Sequence, residues 1–294
     1  MKKLVIICLF GLFLLALTVP VQAQPKLDFR ASGFIDVITE WWRNAVAGTY
    51  GATGDLSSAN IQQVNRTAAY MEQRARLKFD AVMDKNLSGT IFFEMDSAQW
   101  GDTDGTRNKM GFWNADRASV EIKNVYIDMG LPYFGIPVPM TMRLGVQPLS
   151  IRPNLLVYTD GPGITAGINV DPVMIIPFWF KPLEGKDATA DDVDAYGIHA
   201  NAKIGTLTLG GYGMYYNMKT YPLDRANYTY GQTTSFKSDM WWFGAYLDGK
   251  LGPVNVNLDF IYDTGKVEGR SSVVAHDVDY SGWAANAKVN FPWE

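Results

Sequence analysis

Arg74, Arg76 and Lys78 recur at every second position, and Glu94 and Asp96 recur at the same interval after a turn. Alternation with a period of two places each set on one face of an extended strand. The pattern therefore predicts a wall of opposed fixed charges, which orders water and biases the ions that approach it. Asp128 and Arg143 lie on two later alternating segments and are expected to extend the same wall. The candidate site is accordingly Arg74, Arg76, Lys78, Glu94, Asp96, Asp128 and Arg143, with no catalytic residue and no metal ligand among them.

Other chemistry-bearing patterns are sparse. His199 and His276 have no partner at metal-ligand spacing, and the single cysteine, Cys8, lies near the N-terminus. Zinc and haem sites are not expected, nor is any other cofactor. His276-Asp277 offers half of a surface hydrolase site, and the competing reading is a loop histidine at a strand entrance. Asp102-Thr103-Asp104-Gly105 resembles part of a calcium loop, but the bidentate Glu that such a loop needs downstream is missing. Gly210-Gly211-Tyr212-Gly213 lacks the Lys-Ser/Thr that would make it a phosphate loop.

The elements that carry the charges are legible from the other half of the alternation. Ala75, Leu77, Phe79 and Ala81 form the apolar face of one strand, and Gly89, Ile91, Phe93 and Met95 that of the next. A symmetric five-residue turn at 84–88 would set Lys78 opposite Glu94, Arg76 opposite Asp96, Phe79 opposite Phe93 and Leu77 opposite Met95. A sheet with one oily and one ionic face needs apolar solvent on one side and water on the other. Each basic residue turned toward hydrocarbon would cost about 2 to 4 kcal/mol near a bilayer midplane, so the charged face is expected to look into a wet interior. A soluble β-sandwich is the alternative, with the oily faces buried between two sheets.

Lys2 and Lys3 precede an apolar run from Leu4 to Val19 that ends in Val21-Gln22-Ala23. This is the pattern of a secretory signal peptide at 1–23, cleaved after Ala23. The run is shorter than the roughly 20 apolar residues of a spanning helix. Residues 24–294 then contain no cysteine, and the longest apolar stretch among them, Val173 to Phe180, holds Pro177. Helical membrane spans are excluded. Tyr, Phe and Trp number 15, 15 and 9 while mean hydropathy is −0.07, the average expected when lipid-facing and water-facing residues alternate. Without Lys2 and Lys3 the 26 basic side chains fall to 24 against 30 acidic ones, which argues against a nucleic-acid partner.

Alternation places strands at about 27–41, 70–83, 89–100, 119–129, 141–147, 195–204, 207–218, 239–248, 254–263 and 278–291. Three prolines make 131–140 a turn. Leu207 and Leu209 are out of phase with Tyr212, Met214 and Tyr216, which predicts a bulge at Gly210-Gly211. Short turns at 84–88, near 205 and at 249–253 alternate with long polar loops at 43–69, 97–117, 219–237 and 264–277. For that alternation to persist, 163–170 must be a further strand ending at Asp171-Pro172, and parity then gives about twelve. Trp41, Trp42, Tyr70, Trp100, Trp241, Trp242 and Tyr262 lie near strand ends, as interfacial girdles require.

The Arg74-Ala75-Arg76-Leu77-Lys78-Phe79 hairpin, the Asn124-Val125-Tyr126-Ile127-Asp128 strand and Met142-Arg143-Leu144-Gly145-Val146-Gln147-Pro148 resemble Gram-negative outer-membrane porins and alginate-export-like barrels. The resemblance implies an all-β, antiparallel transmembrane barrel in the outer membrane. It would pass small hydrophilic solutes, contact outer-membrane lipid and lipopolysaccharide, and assemble as a homotrimer. It also carries two alternatives, a barrel sheath around an export or electron-conduit partner and an outer-membrane hydrolase. Asn290-Phe291-Pro292-Trp293-Glu294 departs from the terminal aromatic usual in such barrels. Either Phe291 closes a twelve-stranded barrel, or a sixteen-stranded barrel continues past this sequence; the second is the expectation.

Overall fold

A computed structural model describes residues 27–43, 67–101, 109–110, 120–131, 139–152, 155–185, 189–221, 236–269 and 277–291. The expected signal peptide, His276, the Asp102–Gly105 motif and most of the proline-rich 131–140 segment lie outside them. The strands in chain order are β1 (Asp28–Arg43), β2 (Thr67–Asp84), β3 (Leu87–Trp100), β4 (Lys109–Met110), β5 (Glu121–Leu131), β6 (Met140–Ile151), β7 (Val157–Val170), β8 (Val173–Leu183), β9 (Val193–Ile204), β10 (Leu207–Tyr221), β11 (Phe236–Leu251), β12 (Val254–Gly269) and β13 (Val278–Asn290). Twelve of them form one antiparallel meander in which every long strand pairs with its neighbour in sequence, and β4 adds a short parallel pairing to β3. One sheet, with no second sheet packed on it among the described residues, rules out the β-sandwich.

The strand required by parity exists, and it is longer than 163–170. It runs from Val157 in unbroken register with β6, from Met140 opposite Ile168 to Ile151 opposite Val157.

The opening hairpin departs from the expected register by two residues. Lys85 and Asn86 alone form the turn, and the Asn86 amide donates to Asp84 Oδ1 at 2.6 Å. A bulge between Val82 and Asp84 absorbs the slack. Arg76 therefore faces Glu94, Lys78 faces Phe92, Leu77 faces Phe93 and Phe79 faces Ile91. An even shift keeps every side chain on its expected face while exchanging its partner. Gly130 closes over this turn, its amide donating to Asn86 O at 2.7 Å, and a Cβ there would stand 2.9 Å from Asn86 Oδ1.

The sheet curls. On a flat sheet β6 and β11 would be five strand spacings of about 4.8 Å apart, roughly 24 Å. Arg152, which follows β6, nevertheless lies 2.5 Å from Asp248 on β11. One face is thus an interior and the other an outer wall, and the ladders assign each residue to one of them. Phe29, Ile35, Leu77, Ile127, Leu258 and Val289 point outward and are exposed. Among the described residues no ladder joins β1 to β13, so Phe291 is not seen to close a twelve-stranded ring.

No bulge interrupts Gly210-Gly211: β10 pairs with both neighbours without a break from Leu207 to Met218. Leu207 and Leu209 point outward, and Tyr212, Met214 and Tyr216 point inward, because the interior here is itself apolar. Leu149, Ile151, Phe178, Phe180, Ala195, Tyr212, Met214 and Tyr246 form a buried cluster against which Trp242 and Ile261 pack. Four of its rings lie over glycines directly across a ladder: Phe180 over Gly163, Phe178 over Gly197, Tyr246 over Gly210 and Tyr212 over Gly244. A Cβ at any of the four would fall within 2.8 Å of the ring, so the missing side chain is what lets the aromatic lie flat.

Tyr196, Tyr215, Trp241 and Phe243 stack in a row on the outer face, with centroid separations of 6.4, 4.5 and 5.8 Å. Tyr262 and Trp283 continue that wall. Of the expected girdle, Trp41, Trp100, Trp241 and Tyr262 are on it or exposed. Trp242 instead packs inside, and Tyr70 faces inward with its hydroxyl bonded to Glu40.

Candidate functional site

Strands β2, β3 and β5 bring the expected charges together on the interior face. Arg76 binds Glu94 at 2.5 Å, and Arg74 binds Asp96 at 2.7 Å while reaching Glu94 at 3.8 Å. Lys123, absent from the expected set, bridges Glu94 at 3.4 Å and Asp160 at 2.7 Å. The Asn124 amide also donates to Asp160, at 2.7 Å. Three cations and three carboxylates thus form one continuous network. Its charge is balanced, so reversing any single member unbalances it by two.

Lys78 shares the inward face but takes no part in that network. Its ammonium pairs with Asp80 at 3.0 Å, and Asp80 also accepts from the Thr90 hydroxyl at 2.6 Å. Asp128 and Arg143 form a separate bidentate pair at 2.7 and 3.0 Å, with the guanidinium 4.1 Å above the Tyr126 ring. Opposite that ring stands Gly145, whose φ of +129° and whose approach to the Val125 carbonyl exclude a side chain. Lys123 sits at a register shift between β3 and β5, which is why strict alternation did not select it. Asp80 was legible on the polar face of its strand.

A second polar centre is built from groups far apart in the chain. The Arg152 guanidinium binds Asp248 bidentately and Asp259 through Nε, and lies 4.3 Å over the Tyr246 ring. Tyr246 in turn shares a hydrogen bond with His199 Nε2 at 2.8 Å, and Asn257 donates to Asp248. The amides of Leu155 and Leu156 donate to the Arg152 carbonyl at 2.7 and 2.9 Å, closing the turn after it. The β6–β7 tip is therefore pinned against the inner faces of β11 and β12. No pattern in the sequence links Arg152 to carboxylates about a hundred residues away.

Of the candidate hydrolase pair, His276 lies outside the described residues. Asp277 forms an ion pair with Lys266 at 2.8 Å, and His199 is committed to Tyr246. Among the described residues there is no group of three potential metal ligands.

Outside the strands, in the β8–β9 connection, Asp192 accepts from Lys181 at 2.9 Å and from the Gly185 amide at 3.0 Å. The Lys181 bond first, and then the Gly185 N–H, hold its carboxyl below the ordinary carboxylate range. A lowered pKa means that the contact contributes in full at neutral pH, above the ordinary carboxylate pKa, and that this contribution is lost as pH falls from there through the depressed value. The Gly185 amide shift followed by NMR should titrate with a midpoint below that of an unperturbed Asp. Asp192→Asn should flatten the curve.

No family model matches the chain, and no curated protein matches it in sequence. Among solved structures, in-vitro folded OmpT, an outer membrane protein of Vibrio cholerae in its trimer form, aligns at 8% identity and a TM-score of 0.37, covering 92% of this chain and 84% of that one. OmpF of Salmonella typhi in complex with daunomycin aligns at 12% identity and a TM-score of 0.37, covering 92% and 87%. A loop L8 deletion mutant of the Vibrio cholerae OmpT aligns at 9% identity and a TM-score of 0.34.

Proposed function

We propose that the chain forms the wall of a water-filled passage across the outer membrane, through which small hydrophilic solutes and ions diffuse passively. The observation that carries this reading is the Arg74–Arg76–Glu94–Asp96–Lys123–Asp160 network on the inner face of a curled sheet whose outer face is apolar and aromatic. Ionic groups on one face and exposed Phe, Ile, Leu and Trp on the other suit water inside and hydrocarbon outside. The same outer face would meet lipid and lipopolysaccharide. In this reading the protein is a conduit and not a catalyst, exported by its N-terminal segment and assembled as a homotrimer.

The test is single-channel conductance of the full-length protein in planar bilayers, beside an Arg76→Glu variant. A steady open conductance is expected, with the variant shifting the permeability ratio severalfold toward cations. Silent bilayers with correctly inserted protein would overturn the proposal and favour a sheath around a partner.

A further inference from the structure

The apolar half of the interior lines a partly open cavity of about 380 Å³, bounded by Leu149, Leu156, Val157, Met214, Trp242 and Ile261 among others. It lies against the pinned β6–β7 tip, with the buried Leu149, Phe180, Ala195 and Met214 forming part of its wall. Its lining is mostly apolar, and a cavity of about 150 Å³ lined by aliphatic and aromatic groups already accepts benzene. Of the two charged residues at its boundary, Asp160 is paired with Lys123, and Lys181 is held by Glu184, Asp192 and Asp194, an excess of carboxylate. An anionic guest would thus be desolvated with no free counter-charge to meet it.

We propose that this cavity is a binding site for a small uncharged ring compound, an aromatic solute with at most one polar substituent. The volume is ample for a substituted ring, and flat or edge contacts from Trp242 and Tyr216, themselves 6.0 Å apart and edge-on, suit an aromatic guest. Met214 adds a polarizable thioether to the same wall. Among solutes entering the passage proposed above, this site would retain neutral rings over anions, so the substrate class rests on that reading, whereas the occupancy of the cavity does not.

The probe is 4-bromophenol at pH 6, titrated calorimetrically into the full-length protein in detergent against a matched micelle blank, with crystals soaked in the same compound for bromine anomalous scattering. Saturable binding is expected, with the bromine between Met214 and Trp242. Charged 4-bromobenzoate should bind at least tenfold more weakly. Ala195→Leu, which fills the cavity, and Met214→Lys, which charges it, should each weaken 4-bromophenol at least tenfold, with folding verified by heat-modifiable migration. Equal affinity for the two probes, partitioning indifferent to both variants, or a cavity occupied by the protein's own chain or by a detergent tail would overturn the proposal. Conductance measured on the same preparation separates this outcome from failure of the channel reading.

Discussion

Arg152→Ala is expected to destabilise the protein by about 3 to 5 kcal/mol, the cost of stranding a buried charge by removing its partner. Asp259 is 5% exposed and Asp248 34%, so the penalty falls mainly on Asp259, which has little water to turn to. The guanidinium also covers the Tyr246 ring, and its own backbone carbonyl organises the turn through Leu155 and Leu156. Urea unfolding in detergent should show the lowered midpoint, and amide exchange at Leu155 and Leu156 should rise from protected to near loop values. Pairing the change with Asp259→Asn should recover a substantial part of the loss. If the double variant is no more stable than the single, the buried carboxylate is not the origin of the effect.

Gly244→Val should cost about 1 to 3 kcal/mol through overpacking. The three atoms nearest a Cβ at Gly244 all belong to the Tyr212 ring, the closest at 2.1 Å. Tyr212 is 7% exposed and cannot swing into solvent without opening the cluster around Met214 and Tyr246. Because the conflict is with one side chain and not with backbone, Tyr212→Ala should absorb the valine. The double-mutant cycle should then give a coupling of about 1 kcal/mol or more, and additive effects would show that the ring is not the obstacle.

Much of the architecture was readable because face assignment depends only on parity. The outward rows on β2, β12 and β13 are the ones that alternation selects, and the long-loop, short-turn rhythm requires a strand where β7 lies. Partner identity was less accessible. The Asp84–Asn86 contact tightens the first turn and moves the cross-strand pairs from Ala75 to Val82 by two while keeping those residues on their expected faces, and a second register shift between Gln73 and Ala75 alters the pairing beyond. Tyr212, Met214 and Tyr216 misled for a different reason. The premise that an inward residue must be polar fails where curvature brings inner walls into contact, and only the assembled sheet reveals where that happens.

Of the seven expected wall residues, Arg74, Arg76, Glu94 and Asp96 meet in one network, Asp128 and Arg143 meet each other, and Lys78 turns to Asp80. Lys123 was hidden by a register shift and Arg152 by sequence distance, both of which are properties of the fold and not of local pattern.

The uneven interior has a further consequence. Strands β1 to β5, the start of β6 and Asp160 of β7 present fixed charge, whereas the remainder of β6 through β11 presents chiefly hydrocarbon and ring faces around the Arg152 centre. In the passage proposed above, the most wettable part of the cross-section would then be a crescent against the N-terminal strands, and a hydrated ion would travel off-axis along that arc.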